Sequence, residues 1–458
     1  MKKQKNIKKL YWKFLEAKTN LVNLFNDHYD QVRVFFILLA RSNKHRDLEG
    51  NQFAKKMLFI SFYSPPYASY FGTQRLTKFL KYWNRKGWDI TLLTTAPKPG
   101  TPQDTSSELE ETNVHIVRTL ATSFKSIFLG NKEFIPDNYI HWIRPAVSAA
   151  DQIIQSEKPS VIVATVPPYS NAIAAKISAH KHGLPLVIDF RDPWTCIDVV
   201  WVIRNKFLRY LNGLIEKSVL NFSQLVIIAD ELEYLSSFFP NGDRWKHKVK
   251  SITNGYDEED FSNILLAHDC DDYFKISYIG GIYDEETFIN ITAPIREWVN
   301  QHPDDLSSLK LVYAGNSKFF DNDSSIPFKI ENYGTVSHDE AIKLRFESHV
   351  QLFAQPSHFK PHVYSGKIFE MIRTPVPILA ITNPLSSPAK LIKTTNTGVV
   401  FAPEDVHEAA FFLKTTFEKW KAGKSDYSPD KDKITAFSRK NLAHQALVHI
   451  EQSIQEYK

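Results

Sequence analysis

Short apolar runs alternate with helix-spaced apolar stripes along most of the chain, the pattern of a parallel α/β protein. Val161-Ile162-Val163-Ala164 is a continuous apolar run, as a strand covered on both faces requires. Pro167 and Pro168 stop it, and Ser170 or Asn171 can cap the helix that follows. That helix closes on Gly183, where left-handed backbone costs least. Residues 184–188 then read as a second parallel strand, with polar residues from Asp189 onward. The resulting βαβ unit gathers polar groups beyond the carboxyl ends of both strands, where open α/β sheets bind their ligands.

The same rhythm runs on either side. Upstream, strands are expected at 57–60, 90–93 and 114–117, with a helix over 73–86 that puts Leu76, Phe79, Leu80 and Trp83 on one face. A further helix through Ala146 and Ile154 leads into the βαβ unit. Downstream come a helix over about 206–220, a strand at 225–228 and a helix over 231–239. Thr253-Asn254-Gly255-Tyr256-Asp257 is a turn signature opening an acidic, strand-free stretch. A fresh alternation follows. Strands are expected at 276–279, ending in Gly280-Gly281, at 311–314, ending in Gly315, and at 350–353 and 376–379. Helices fall at 339–346 and from about Gly366. The predicted organisation is a basic helical leader (1–52), a Rossmann-like domain (53–256), a linker (257–272), a second Rossmann-like domain (273–432) and a C-terminal helix (433–458).

Composition narrows the function. A chain of 458 residues buries two ordinary cores, and 43% hydrophobic with 23% charged residues is the mix of a soluble globular protein. Two cysteines, Cys196 and Cys270, exclude a disulfide framework and the usual zinc spacings, which fits a reducing compartment. The formal charge of +5 is mild, and no basic block interleaves with aromatics, so nucleic acid is not an expected partner. The longest apolar run near the start, 34–40, falls far short of the roughly 20 residues that span a bilayer. Lys2, Lys3, Lys5, Lys8 and Lys9 precede Leu10, Phe14, Ala17, Leu21 and Leu24 at helix-like spacing. Residues 1–30 therefore suit an anionic membrane surface, or a one-sided helix docked on the body.

Six motifs occur in order: 59–75 (FISFYSPPYASYFGTQR), 134–142 (FIPDNYIHW), 167–170 (PPYS), 189–194 (DFRDPW), 252–257 (ITNGYD) and 366–370 (GKIFE). Over roughly residues 55–450 the chain resembles bacterial glycosyltransferases of the GT-B fold, in particular family 4, the retaining nucleotide-sugar transferases of surface-polysaccharide synthesis. The resemblance implies two tandem Rossmann-like, doubly wound domains with a cleft between them. It further implies a nucleotide-sugar donor in the C-terminal domain and a polysaccharide or lipid-linked glycan acceptor in the N-terminal one. Neither a metal nor a cofactor is implied, and the expected location is cytoplasmic, peripheral on the inner face of the membrane. A sugar-nucleotide epimerase and a non-catalytic GT-B-like partner subunit are the competing readings. A dinucleotide oxidoreductase is disfavoured because no G-x-G-x-x-G follows a strand.

Candidate site residues follow from these motifs. Donor binding is expected at the strand-end glycines Gly280, Gly281 and Gly315, and at His362, Ser365, Gly366, Lys367 and Glu370. Lys367 is a cation at a helix start, unfavourable unless an anion offsets it. The resemblance makes Glu370 the acceptor for ribose hydroxyls. His362 stands where the family commonly carries a second Glu, and Ile282-Tyr283-Asp284-Glu285 where it often carries Arg and Lys. Charge on a diphosphate must then be met by Lys367, Lys360 or His362. Gly72 and Arg75, in the first helical turn of the N-terminal domain, and Pro168, Tyr169 and Ser170 are expected on the acceptor and phosphate side. Asp189, Arg191 and Asp192 fall where a reacting sugar would lie, Asp192 being the base if the transfer inverts. An Asp189–Arg191 ion pair that only shapes the loop is the structural alternative.

Overall fold

The computed structural model describes residues 53–66, 73–97, 109, 112–120, 136–196, 206–262, 272–320 and 327–457. The leader, with its basic stretch 1–30, and Gly72 lie outside the described residues. The chain divides into two compact units, Met1–Ile252 with His444–Lys458, and Thr253–Ala443. The second unit thus begins at the ITNGYD turn. The last helix, Arg439–Glu456, supplies its second half to the first unit, where Trp88 donates to the Glu451 carboxylate at 3.2 Å.

In the first unit the described strands are β1 (Lys56–Ile60), β2 (Asp89–Thr95), β3 (His115–Thr119), β4 (Val161–Val166), β5 (Leu186–Phe190), β6 (Leu225–Ile228) and β7 (Val249–Ser251). All pair in parallel, in the order β3-β2-β1-β4-β5-β6-β7. Every residue of β4 and β5 is buried, which explains the apolar runs 161–164 and 186–188. The helix Ser170–His182 lies against β4 through Ala172, Ala174, Ala175 and Ala179, all fully buried; residues this small let helix and sheet approach closely. Gly183 ends it with φ +61, as its sequence position predicts. Its start differs from expectation. Neither Ser170 nor Asn171 caps it; the Asp137 carboxylate, 33 residues upstream, accepts from the Ser170 backbone N–H at 3.0 Å and hydroxyl at 2.6 Å.

The second unit repeats the plan with β8 (Phe274–Ile279), β9 (Leu309–Ala314), β10 (Lys329–Asn332), β11 (Val350–Ala354), β12 (Ile378–Ile381) and β13 (Gly398–Phe401). Their parallel order is β10-β9-β8-β11-β12-β13. Its core joins the helices Glu285–Gln301 and Val406–Lys421 to the sheet, with Trp298 edge-on to Phe274 and Phe417. Asp284 caps the first of these helices, accepting from the Thr287 N–H at 2.7 Å, and Glu285 and Glu286 occupy its first turn. Acids therefore stand after β8 because a helix begins there. Among the described residues no helix is long and apolar enough to cross a membrane.

Candidate functional site

In each sheet the strand order reverses at one place, between β1 and β4 in the first and between β8 and β11 in the second. Chains leaving adjacent strands there turn to opposite faces, so their ends part and leave a crevice open to ligands. The two switch points are differently furnished.

In the first unit, Arg75 and Asp189 come together. Arg75 donates from Nη2 to Asp189 Oδ1 at 2.8 Å and from Nε to both carboxylate oxygens at 3.2 Å. The guanidinium also reaches Ile252 O at 2.8 Å, and the Thr165 hydroxyl donates to Asp189 Oδ2 at 2.8 Å. Arg75 is 3% and Asp189 2% exposed. The expected loop-shaping pair is thus real, but its cation is Arg75, and Arg191 plays another part. Arg191 lies against the carbonyls of Val166 and Pro167, tying the ends of β4 and β5 together. Tyr169 stacks on Trp194 at 4.7 Å and donates its hydroxyl to Pro193 O, while Pro168 adjoins it and Ser170 is spent on Asp137. Of the Asp189-Arg191-Asp192 set, Asp192 is exposed, Arg191 half-buried and Asp189 buried. The edge is therefore firmly braced, with Asp192 and the Tyr169 ring as its accessible chemistry.

In the second unit five expected residues, Gly280, Gly281, Gly315, Lys367 and Glu370, lie near three that sequence reasoning missed. Gly280 has φ +146, and a Cβ there would lie 3.2 Å from Lys367 Nζ. A Cβ on Gly315 would lie 2.2 Å from Gly280 O, so the ends of β8 and β9 approach as only glycine allows. Gly281 underlies the exposed Tyr283 ring. Lys367, first residue of the helix Lys367–Arg373, lies over the Tyr278 ring at 4.1 Å and donates to its hydroxyl at 3.0 Å. Among the described residues its ammonium meets no carboxylate. Burial, and then the neighbouring Arg345 charge, lower its pKa to about 7.

Arg345, from the helix His338–Phe346, is 3% exposed. Its Nη2 reaches Ile279 O at 3.5 Å, and its Nε finds no partner among the described residues. Glu370 accepts from His338 Nε2 at 2.9 Å. Burial alone would raise the Glu370 pKa, but the His338 bond and Arg345 bring it below the usual value; the same bond raises that of His338. His362 is buried, and burial with nearby Lys360 favours its neutral form, so it adds no charge to this edge. Gly366 has helical backbone with open space around it, and the Ser365 carbonyl accepts from the Ile368 N–H in the turn into the helix. The outcome is a switch-point crevice with an excess of positive charge, Lys367 and Arg345 against one carboxylate. Tyr278 reads in sequence as core, and Arg345 and His338 as surface helix charges. Only the packing of that helix on β8 brings them here.

No family model and no curated protein matches the sequence. Solved structures similar to the chain include HepE of Anabaena in complex with UDP and glucose, at 14% identity and TM-score 0.56, covering 86% of this chain and 99% of that one. The α,α-trehalose 6-phosphate synthase of Burkholderia multivorans matches at 10% identity and TM-score 0.55, covering 88% and 97%. The lipopolysaccharide outer core galactosyltransferase WaaB, in its apo form, matches at 11% identity and TM-score 0.53, covering 87% and 99%. The chain has the GT-B fold. HepE is also solved with UDP-glucose, at 14% identity and TM-score 0.54, covering 87% of this chain and 99% of that one. The resemblance implied Arg and Lys after the first strand of the second domain, where Ile282-Tyr283-Asp284-Glu285 stands. The cation after the first strand of the second domain is absent, and buried Arg345 comes from the helix before β11.

Proposed function

We propose that the protein is a nucleotide-sugar-dependent glycosyltransferase that moves a hexosyl group onto a polysaccharide or lipid-linked glycan, with retention at the sugar carbon. The observation that carries this reading is Lys367: a half-buried ammonium at the second switch point, beside a buried guanidinium and without a carboxylate partner. An anion of two or more charges would relieve that imbalance, and the diphosphate of a nucleotide sugar is such an anion. Gly280, Gly281 and Gly315 leave backbone exposed at the same edge, where a diphosphate needs room. Glu370, held in place by His338, offers acceptor oxygens to ribose hydroxyls.

Departure of the nucleotide places negative charge on the leaving diphosphate, and Lys367 with Arg345 stabilises it. With retention that diphosphate takes the acceptor proton, so no side-chain base is needed; Asp192 then orients the acceptor hydroxyl. The half-buried Tyr169 ring offers the acceptor an apolar face, while Pro168 itself is buried. Arg75 and Asp189 hold the edge in shape without contacting either substrate. The donor and a lipid-linked acceptor put the enzyme in the cytoplasm, on the inner face of the membrane.

The test pairs a panel of nucleotide sugars with lipid-linked and polysaccharide acceptors. Acceptor-dependent release of nucleotide, lost in Lys367→Met and Glu370→Ala, supports a transferase. Turnover of donor without any acceptor would assign an epimerase instead, and binding of no nucleotide sugar a partner subunit.

A further inference from the structure

Open α/β sheets take their ligands at the carboxyl ends of the strands, so a basic cavity at the amino ends is unexpected. The first unit has one. A cavity of about 380 Å³ lies where the chain enters β6 and β7. Ser223 and Gln224 border it ahead of β6, and His247 and Lys248 ahead of β7. Lys250, from β7 itself, joins them. The last turns of the C-terminal helix add another wall through His449, Gln452 and Glu456, which share one helix face at spacings of three and four.

The bases of this cavity outnumber its acid and are not neutralised by it. Lys248 is half-buried and donates only to carbonyls, Ser223 O at 2.7 Å and Asn221 O at 3.4 Å. Burial, and then the charge of Arg244, lower its pKa to about 8. Those carbonyls lie at the end of the helix Lys206–Phe222, whose negative pole accounts for Lys248. Nothing comparable accounts for Lys250 and His247. Neither side chain has a hydrogen bond or ion pair among the described residues, although Lys250 is half-buried. Glu456, the one acid of the cavity wall, is exposed and pairs with none of the bases. Two ammonium groups beside imidazoles repel a metal ion and attract an anion, and a dianion balances them better than a monoanion does. The cavity has the size of a small-molecule site, and Ser223 and Gln452 add neutral polar groups suited to hydroxyls. We propose that it binds a small phosphate ester, held by Lys248, Lys250 and His247 and bridging the first sheet to the end of the C-terminal helix. The site lies at the opposite strand ends from the first switch point and shares no residue with the donor crevice, so it stands or falls independently of the proposed activity.

Titration calorimetry of the full-length protein with glycerol 3-phosphate tests it, with glycerol as the uncharged control. The wild type should bind the ester and not glycerol. Lys250→Gln with His247→Gln removes two side chains that bond to no other described residue, so the melting temperature should hold while binding weakens roughly tenfold or more. Lys248→Met is a second, independent variant and should weaken binding to a similar degree. Lys367→Met, in the donor crevice, should bind the ester as the wild type does. Absence of wild-type binding at millimolar ester would overturn the proposal. So would wild-type affinity in the Lys250 and His247 double variant. Loss of binding in Lys367→Met alone would also overturn it, by assigning the anion to the donor crevice.

Discussion

Replacing Asp189 by Ala removes the carboxylate that faces a buried guanidinium. Arg75 is 3% exposed, and three of its contacts end on the Asp189 carboxylate, with a further one on Ile252 O. Removing one partner of such a pair costs about 3–5 kcal/mol, because the remaining charge keeps its desolvation penalty. Loss of the acceptor for the Thr165 hydroxyl adds about 1 kcal/mol. Against a total stability of about 5–15 kcal/mol, the first domain should come close to unfolding. Arg75→Met with Asp189→Leu removes both charges and should recover most of the loss. Urea titration followed by tryptophan fluorescence resolves these cases through the midpoint of the first domain's transition. A loss below about 1 kcal/mol in Asp189→Ala, together with abolished turnover, would refute the structural reading and make Asp189 a reacting group.

Other expectations follow from single groups. Glu216 is 2% exposed and burial raises its pKa from 4.5 to about 7, so the folded protein holds a proton that the unfolded chain releases between these values. Stability should therefore fall by about 3 kcal/mol as pH rises from 4.5 to 7, then level off; midpoints measured over that range should be nearly flat in Glu216→Gln. Lys367, with a pKa of about 7, must be protonated to hold an anion, so nucleotide affinity should decline above pH 7 by up to about tenfold per unit. Titration calorimetry in two buffers at pH 8 should then show proton uptake on binding, which an already charged lysine would not give. Gly315→Ala sets a Cβ 2.2 Å from Gly280 O and should both destabilise the second domain and weaken nucleotide binding, whereas Gly366→Ala should do neither.

The strands at the centre of each sheet were legible because burial on both faces favours apolar runs, as in residues 161–164 of β4 and in β12. The edges were not. β10 reads Lys-Ile-Glu-Asn with two exposed positions, and β7 is three residues long, so neither produces a run above background. The glycines after β8 and β9 do coincide with close backbone approach, which leaves a signature in residue type. Pairings between distant residues left none. Arg75 and Asp189 are 114 positions apart, and nothing in either segment distinguishes Arg75 from Arg191 as the partner. Arg345 sits among Lys343, Phe346 and Glu347, in a stretch that looks solvated until its helix is placed against β8.

The central claim is that Lys367, which meets no carboxylate among the described residues, holds a diphosphate. Calorimetric titration of uridine diphosphate into the wild type and into Lys367→Met tests it most directly. Loss of one charge-assisted contact, about 1.5–3 kcal/mol, predicts a Kd roughly 10- to 150-fold weaker in the variant, at unchanged melting temperature. Equal affinity in the two proteins, or no nucleotide bound by the wild type at pH 7, would contradict it.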